Sequence, residues 1–493
     1  MVVVVVKNSE IIFIKGYGKQ AADSDTPVTE NTLFLLGSIS KSFTATLLLK
    51  LMEKKNPPLD ISTKVKDMMG PDFVFFDDER TKNANMIDIL AHKIGCSEHD
   101  FLRLNPSIKR ADLPRLFKHM KPDMDFRKDF KYSSMMYGFA TYLIEKLADG
   151  QPFEDLMVSE IFAPLDMTSS LVVTKMQTEK NAAQGHSYRT YASLVPVPFE
   201  LTRQWETSWT GSGGLMSNAE DMAKYMNFHL SNTDKDGKKF MSDESFLNLH
   251  KKHNNLPRSV VNNISKDQDE PTLENGYGLG WKLGKYRGHD ILQHNGNTFG
   301  YSSFITLFPK QKIGIFTAMN GNDHNTSMRL FLHNYLSDVA LEVTPYLDAD
   351  SIYSKIQKPK DRPFISADKK DSVQNFEEYM GVYSNSIYGH LEIKTYHTNP
   401  TLEYGICRWN LWKQNNQTFE AEGTGLIKDL IDISSLTFKT EKDRIDVEIK
   451  GFGIRDAPKA MFTRLKGTET HKSQKDFLNR LMEISFLSNN VFE

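Results

Sequence analysis

Cysteine is nearly absent from this chain, which has only Cys96 and Cys407 among its 493 residues. Two thiols cannot build a disulfide framework or a four-cysteine zinc site. None of the 14 histidines belongs to a His-Glu-x-x-His motif, the pattern that binds zinc from one helix face. The GYGLG stretch at 276–280 lacks the glycine spacing of a dinucleotide-binding loop. The sequence therefore predicts no metal and no cofactor.

An excess of charge is also missing, because 61 Lys and Arg residues nearly balance 63 Asp and Glu residues. Without a basic stripe, we predict no nucleic-acid partner. No apolar run approaches the roughly 18–20 residues that cross a bilayer, so no membrane span is predicted. The first residues lack a basic segment and a cleavage site, so they are not a signal peptide. The sequons at Asn263, Asn325 and Asn416 slightly favour a secreted protein, but the compartment stays open.

The hydrophobic pattern divides the chain into a mixed domain, a linker, a small β domain and a tail. The β-branched runs at 1–18 predict a hairpin, and apolar residues at every fourth position predict a helix at 39–54. We expect the hairpin and the strand-like runs at 276–320 to form one sheet. Short alternating segments late in the chain predict an all-β domain. The predicted limits are 1–343 for the first domain, 344–374 for the linker, 375–466 for the β domain and 467–493 for the tail.

Two helix starts carry local signals. Ser217 and Glu220 form a capping-box pattern, which predicts a helix that begins there. In GSISKSFTATLLLK at 37–50, Ser38 and Lys41 lie one helical turn apart and thus share a face. A hydroxyl beside an amine at a helix start is a candidate nucleophile and base. The alternative is an ordinary serine cap and a surface lysine. The same pattern recurs in SADK at 366–369, so the pattern alone is weak.

Further segments make this pattern specific. The chain contains LGSISKSFTA, ILAHKIG, KYSS, IFAPLDMTSS, GSGGLMSNAEDMAKYM, GYGLGW and HNGNTFGYSSF, in that order. In this order they resemble the serine β-lactamase and penicillin-binding-protein superfamily, above all its branch of class C β-lactamase-related esterases, D-aminopeptidases and animal β-lactamase-like proteins. The resemblance implies an α/β (α+β) fold for 1–343, with helices flanking an antiparallel sheet. Residues 375–466 resemble the small lipocalin-like β-barrel of many such hydrolases.

The resemblance also implies a set of catalytic residues. Ser38 matches the acylated nucleophile and Lys41 its proton acceptor. Tyr132 matches the tyrosine that shares this proton. His294 stands where the Lys-Thr-Gly element of other members has its lysine, as in many esterase and peptidase members, and would hydrogen-bond the substrate or Tyr132. The oxyanion hole would consist of the backbone N–H groups of Ser38 and of Asn297, the residue after Gly296. Losing one such donor typically costs about 10²–10³ in rate.

One position departs from the family pattern. Ser134 stands where relatives usually have asparagine, and a hydroxyl offers one donor where an amide offers two. This departure weakens the case for β-lactam or peptide recognition more than the case for acyl transfer. The sequence thus predicts a serine hydrolase that acts on a small ester, amide or peptide. The alternative is a non-catalytic structural or matrix protein that keeps the fold. In relatives the β domain either covers the active-site mouth or mediates self-association, and both alternatives stay open.

Overall fold

The computed structural model describes residues 1–176, 181–190, 193–257, 272–321, 327–348, 350–352, 376–396, 399–415, 417–452 and 459–466. The chain divides into two compact units. Unit 1 comprises Met1–Glu98 and Arg110–Pro363, and unit 2 comprises His99–Lys109 and Phe364–Glu493. The asparagines of the three sequons, the SADK segment and the predicted tail lie outside the described residues.

Thirteen strands of unit 1 are described, eight of them in one sheet. They are β1 Val2–Lys7, β2 Glu10–Gly16, β3 Phe34–Leu35, β4 Leu171–Val172, β5 His186–Thr190, β6 Ser193–Pro196, β7 Leu215–Ser217, β8 Asn254–Asn255, β9 Thr272–Tyr277, β10 Lys282–Tyr286, β11 His289–Thr298, β12 Tyr301–Phe308 and β13 Ile313–Met319. The large sheet has the order β2-β1-β13-β12-β11-β10-β9-β8, and its neighbouring strands are antiparallel.

The first hairpin belongs to this sheet, as the sequence predicted. Its turn places Asn8 and Ser9 at φ of 54° and 69°, the left-handed conformations that a tight hairpin turn requires. Strand β1 pairs with β2 on one side and with β13 on the other, so Val4 lies opposite Phe316. Residues 2–6 are buried because strands pair with both edges of β1 and other elements cover both of its faces.

Twelve α-helical segments of unit 1 are described. They are α1 Ser40–Glu53, α2 Val65–Met69, α3 Asp78–Asn83, α4 Met86–Leu90, α5 Leu113–Leu116, α6 Ser134–Leu147, α7 Phe153–Met157, α8 Phe199–Thr207, α9 Thr210–Gly213, α10 Ala219–Ser231, α11 Asp243–His250 and α12 Ser327–Ala340. No helix in this described part of the chain has the length and apolar character needed to cross a membrane.

Helices cover both faces of the sheet. On one face, Met226 of α10 and the side chain of Val6 both lie beside Gly314. On the other, Ala340 of α12 packs in a cluster with Val5 and Ile315. Adjacent strand residues point to opposite faces, so the two helices contact alternate residues of the same strands. The expected layered α/β arrangement is therefore confirmed.

The predicted capping box is wrong by one residue. The side chain that caps α10 is that of Asn218, which accepts a hydrogen bond from the N–H of Asp221 at 2.9 Å. Ser217 ends strand β7, and its hydroxyl instead lies 2.8 Å from that of Ser170. Pairing of Ser217 with Phe34 keeps this residue in the strand and moves the cap to the next residue.

Unit 2 contains a closed antiparallel barrel of eight strands, which confirms the β-barrel expected in the later part of the chain. The strands are β14 Gly381–Asn385, β15 Gly389–Tyr396, β16 Asn399–Tyr404, β17 Cys407–Lys413, β18 Thr418–Thr424, β19 Ile433–Glu441, β20 Arg444–Lys450 and β21 Ala460–Arg464. The segment His99–Lys109 groups with this barrel although it lies early in the chain. Its Phe101 is buried and stacks on Trp409, with ring centroids 6.0 Å apart.

Candidate active site

Ser38 lies in a tight turn just before α1. The turn Gly37–Ile39 is a 3-10 helix that leads into the α-helix at Ser40. Gly37 has φ of +53°, and a Cβ built on it would lie 2.9 Å from the backbone nitrogen of Asn297. A side chain at this position would be strained and would push the neighbouring strand away. Gly37 therefore lets the serine turn approach strand β11 closely.

Lys41 lies in the first turn of α1 and is completely buried. Its Nζ donates hydrogen bonds to Ser38 Oγ at 3.0 Å, to the Ser212 carbonyl at 2.9 Å and to Ser134 Oγ at 3.3 Å. The same nitrogen lies 4.9 Å from the ring centroid of Tyr132. These contacts aim the amine at the serine hydroxyl, as the one-turn spacing predicted.

Tyr132 contacts the same hydroxyl from the other side. Its OH donates a hydrogen bond to Ser38 Oγ at 2.8 Å. Tyr132 precedes helix α6, whose first residue, Ser134, donates its backbone N–H to the carboxylate of Glu98 at 2.7 Å. A carboxylate is stabilising at a helix N-terminus, because unpaired N–H groups and the helix dipole meet there. Glu98 thus fixes the start of the helix that positions both Tyr132 and Ser134.

His92 packs behind Tyr132, with their ring centroids 4.4 Å apart. The ring is fully buried, and its Nδ1 accepts a hydrogen bond from the N–H of Ser133 at 3.1 Å. Burial, together with the nearby positive charge of Lys41, holds the pKa of His92 well below its ordinary value of 6.5. The ring is therefore neutral near pH 7 and contacts the tyrosine without adding charge to the site.

His294 makes both of its ring hydrogen bonds within the protein. Its Nδ1 lies 2.8 Å from the Asn295 carbonyl, which can only accept, so this nitrogen carries the proton. Its Nε2 then accepts from the hydroxyl of Tyr277 at 2.9 Å. Burial, followed by the charges of Lys282 and Lys41, lowers the pKa of His294 well below 6.5. A neutral histidine thus lies near Tyr132, with 6.4 Å between the ring centroids.

Strand β11 also brings Gly296 and Asn297 to the serine turn. A Cβ on Gly296 would lie 2.0 Å from the Leu36 carbonyl and 2.2 Å from Ser303 Oγ, so only glycine fits there. Ser303 Oγ donates to that same Leu36 carbonyl at 2.7 Å. This bond ties the residues just before Ser38 to the sheet.

The structure thus brings the seven predicted residues together, and it adds groups that the sequence did not single out. These are the side chains of Tyr277, His92 and Glu98 and the carbonyl of Ser212. Tyr277, His92 and Ser212 belong to the segments GYGLGW, ILAHKIG and GSGGLMS, which carry the family resemblance. The resemblance therefore pointed to these segments but assigned no function to these three residues. Glu98 carries no such signal, because an isolated acidic residue in a loop is ordinary.

Comparison with known proteins supports the same fold. The chain is 29% identical to "Unguisins hydrolase ungD'" of Aspergillus campestris over 341 residues, which make up 67% of this chain and 60% of that protein. It spans about three fifths of the length of the first two curated relatives. An octameric penicillin-binding protein homologue from Pyrococcus abyssi has 18% identity and a TM-score of 0.59, with 94% of this chain and 95% of that chain covered.

A second solved structure, D-amino acid amidase from Ochrobactrum anthropi with L-phenylalanine amide, has 19% identity and a TM-score of 0.51. The aligned region covers 65% of this chain and 85% of that chain. At these identities the two structures establish the fold alone. A family model described as Beta-lactamase matches residues 1–336, which is more than half of the chain. The chain therefore belongs to the beta-lactamase family.

Proposed function

We propose that this chain is a serine hydrolase that forms an acyl-enzyme on Ser38 from a small ester, amide or peptide. The observation that carries the proposal is the pair of hydrogen bonds at Ser38 Oγ, one from Lys41 Nζ at 3.0 Å and one from Tyr132 OH at 2.8 Å. A serine hydroxyl needs such neighbours, because it is a weak nucleophile until a positioned base takes its proton.

In the proposed reaction, Ser38 Oγ attacks the carbonyl carbon and its proton passes to Lys41 Nζ, directly or through the hydroxyl of Tyr132. In the resting site the Lys41 ammonium donates the three hydrogen bonds to Ser38, Ser134 and Ser212. It must first lose one proton to solvent, after which the neutral amine faces Ser38 Oγ with its lone pair and accepts the serine proton. The tetrahedral intermediate then expels the leaving oxygen or nitrogen, which takes up that proton and departs as an alcohol or amine. A water molecule attacks the acyl-Ser38 ester and gives its proton to the same pair. The acid is released as the proton returns to Ser38 Oγ.

The negative charge that develops on the substrate oxygen requires hydrogen-bond donors. The backbone N–H groups of Ser38 and Asn297 fulfil this role in the proposal, because Gly37 brings the two segments within contact distance. Donors fixed before the reaction stabilise the transition state without a reorganisation cost. The neutral ring of His294 lies beside Tyr132. Both of its nitrogens already bind Tyr277 and the Asn295 carbonyl, so His294 does not compete for the proton of Ser38.

The relatives support hydrolysis but not one substrate. One is named a hydrolase of unguisins, and one structural neighbour is an amidase of D-amino acids. Ser134 lies within 3.3 Å of Lys41 through its own hydroxyl. Because this side chain is shorter than an asparagine, it has less reach toward a substrate amide. We therefore propose that activated or small esters are preferred over β-lactams.

Labelling with a fluorophosphonate probe tests this function. The natural protein should be labelled and should hydrolyse at least one member of a panel of p-nitrophenyl esters, D-amino-acid amides and a chromogenic cephalosporin. Ser38→Ala should lose both properties. The matched control is Ser366→Ala, since SADK repeats the Ser-x-x-Lys pattern outside the described residues and should be dispensable. A folded natural protein that is neither labelled nor active would favour the non-catalytic alternative.

A further inference from the structure

A completely buried arginine lies behind the proposed oxyanion strand. Arg329 belongs to the first turns of α12, and its side chain has no exposed surface. Its Nη1 donates to the Gly296 carbonyl at 2.8 Å and also to the Ser303 carbonyl. Its Nη2 donates to Asn297 Oδ1 at 2.6 Å. The guanidinium thus binds three oxygens of two neighbouring strands with two of its nitrogens.

Two of these contacts involve one peptide group. The Gly296 carbonyl and the Asn297 N–H belong to the same planar trans peptide, so they point in opposite directions. Arg329 holds the oxygen, and the N–H must therefore point away from Arg329. The turn that carries Ser38 approaches the nitrogen, because a Cβ on Gly37 would lie 2.9 Å from it. The peptide thus lies between the guanidinium and the catalytic turn.

We infer that Arg329 is a positioning residue of the oxyanion hole: it fixes and polarises the Gly296–Asn297 peptide so that the Asn297 N–H points at the developing charge. The inference rests on the proposed hydrolase function. It assigns a role to a residue that neither touches the substrate nor belongs to any of the recognised motifs.

Two physical effects follow from the contact. A guanidinium is always charged and presents its donors in a rigid fork, so it restricts rotation of the peptide more than a neutral donor would. A charged donor on the carbonyl oxygen also draws electron density from the peptide, which strengthens the hydrogen bond that the N–H donates. Both effects matter most when the substrate oxygen becomes negative, so they should act on the transition state more than on bound substrate.

A purely structural role for Arg329 would be to anchor α12 to the sheet. Arg287 offers a matched control for that role, because it anchors the other end of the same helix. Its Nε lies 2.8 Å from Asp338 Oδ1, and its Nη2 donates to the Thr344 carbonyl at 3.1 Å. Arg287→Met should loosen the helix without touching the Gly296–Asn297 peptide.

The experiment compares Arg329→Met, Arg329→Lys and Arg287→Met with the natural protein. For each we would measure kcat and KM with a p-nitrophenyl ester, the rate of fluorophosphonate labelling and the affinity for an arylboronic acid, whose tetrahedral adduct places an oxygen in the hole. Arg329→Met should lower kcat by about 10- to 100-fold, part of what the loss of a whole donor costs. KM should change by less than about threefold, and boronate affinity should fall in parallel with kcat/KM.

Arg329→Lys guards against a Met variant that does not fold, since it keeps a buried charge but loses the fork. Its kcat, labelling rate and boronate affinity should lie between those of the natural protein and those of Arg329→Met. Equal losses in Arg287→Met and Arg329→Met, or unchanged labelling and boronate affinity in a folded Arg329 variant, would overturn the inference while leaving the proposed function intact. Absence of labelling and turnover in the natural protein would overturn the proposed function first, and this inference with it.

Discussion

Replacing Lys41 by methionine should separate activity from stability. Methionine has a similar length and volume but neither accepts the proton of Ser38 nor donates to Ser212 or Ser134. Positioned proton transfer contributes about 10²–10⁴ to rate, and each factor of ten equals about 1.4 kcal/mol of barrier. We therefore expect Lys41→Met to raise the barrier by at least about 3 kcal/mol. KM should change little, because in the proposed reaction the amine acts on Ser38 rather than on bound substrate.

The same change should leave the free energy of unfolding nearly unaltered. Lys41 makes three hydrogen bonds, each worth about 1–3 kcal/mol. Against this gain, burying an ammonium group completely costs several kcal/mol. The two contributions oppose each other, so the free energy of unfolding of Lys41→Met in urea should differ from that of the natural protein by much less than the three hydrogen bonds alone would give.

Lys50→Met is the matched control, because Lys50 belongs to the same helix α1 as Lys41. Its Nζ lies over the ring of Phe240, 3.8 Å from the ring centroid. It donates to the Glu160 carbonyl at 2.8 Å and makes none of the hydrogen bonds described at Ser38. Its substitution should leave kcat and fluorophosphonate labelling unchanged. The reasoning fails if Lys41→Met keeps more than about a tenth of the activity, or if it loses activity only because it unfolds.

Three further predictions concern other side chains. Tyr132→Phe removes the second donor to Ser38 and should cost about 10²–10⁴ in kcat without loss of folding, and a cost below tenfold would remove Tyr132 from the proton path. Ser134→Asn should shift the ratio of kcat/KM for a cephalosporin to that for an ester upward, and an unchanged ratio would show that position 134 does not set the preference. Burial lowers the pKa of His333 well below 6.5, so the unfolded state takes up a proton first as the pH falls and stability is lost below about pH 6.5. His333→Gln should therefore lessen the pH dependence of unfolding between pH 6.5 and 5 by up to about 1.4 kcal/mol per pH unit, and equal slopes in urea titrations would contradict the assignment.

The backbone framework of the site could be predicted because its signals are local. A one-turn spacing brings Ser38 and Lys41 onto one face, and α1 indeed runs over Ser40–Glu53, close to the predicted 39–54. Likewise, β-branched runs and turn residues locate the first hairpin, whose two strands pair with each other. Predictions of this kind need only residues that are neighbours along the chain.

What could not be predicted depends on contacts between distant segments. The Tyr277–His294 hydrogen bond joins two strands, and nothing in either segment says which ring nitrogen accepts. In the sequence, Arg329 is one more basic residue in an amphipathic helix. Its proposed role at the oxyanion hole can be inferred only from the hydrogen bond to the Gly296 carbonyl, which lies in a distant segment. The cap of α10 fell on Asn218 because strand pairing, which is not local, holds the preceding serine.

Two glycines bear on the choice between an enzyme and a scaffold that merely keeps the fold. Gly37 adopts a left-handed conformation against Asn297, and Gly296 leaves no room for a side chain beside Leu36. Glycine weakens strands and turns through its conformational entropy, so a protein that needs only a stable core gains nothing from placing two of them face to face. An oxyanion hole does gain, since its donors must approach a common point from two chain segments. The close approach at Gly37 and Gly296 thus favours catalysis over a structural role.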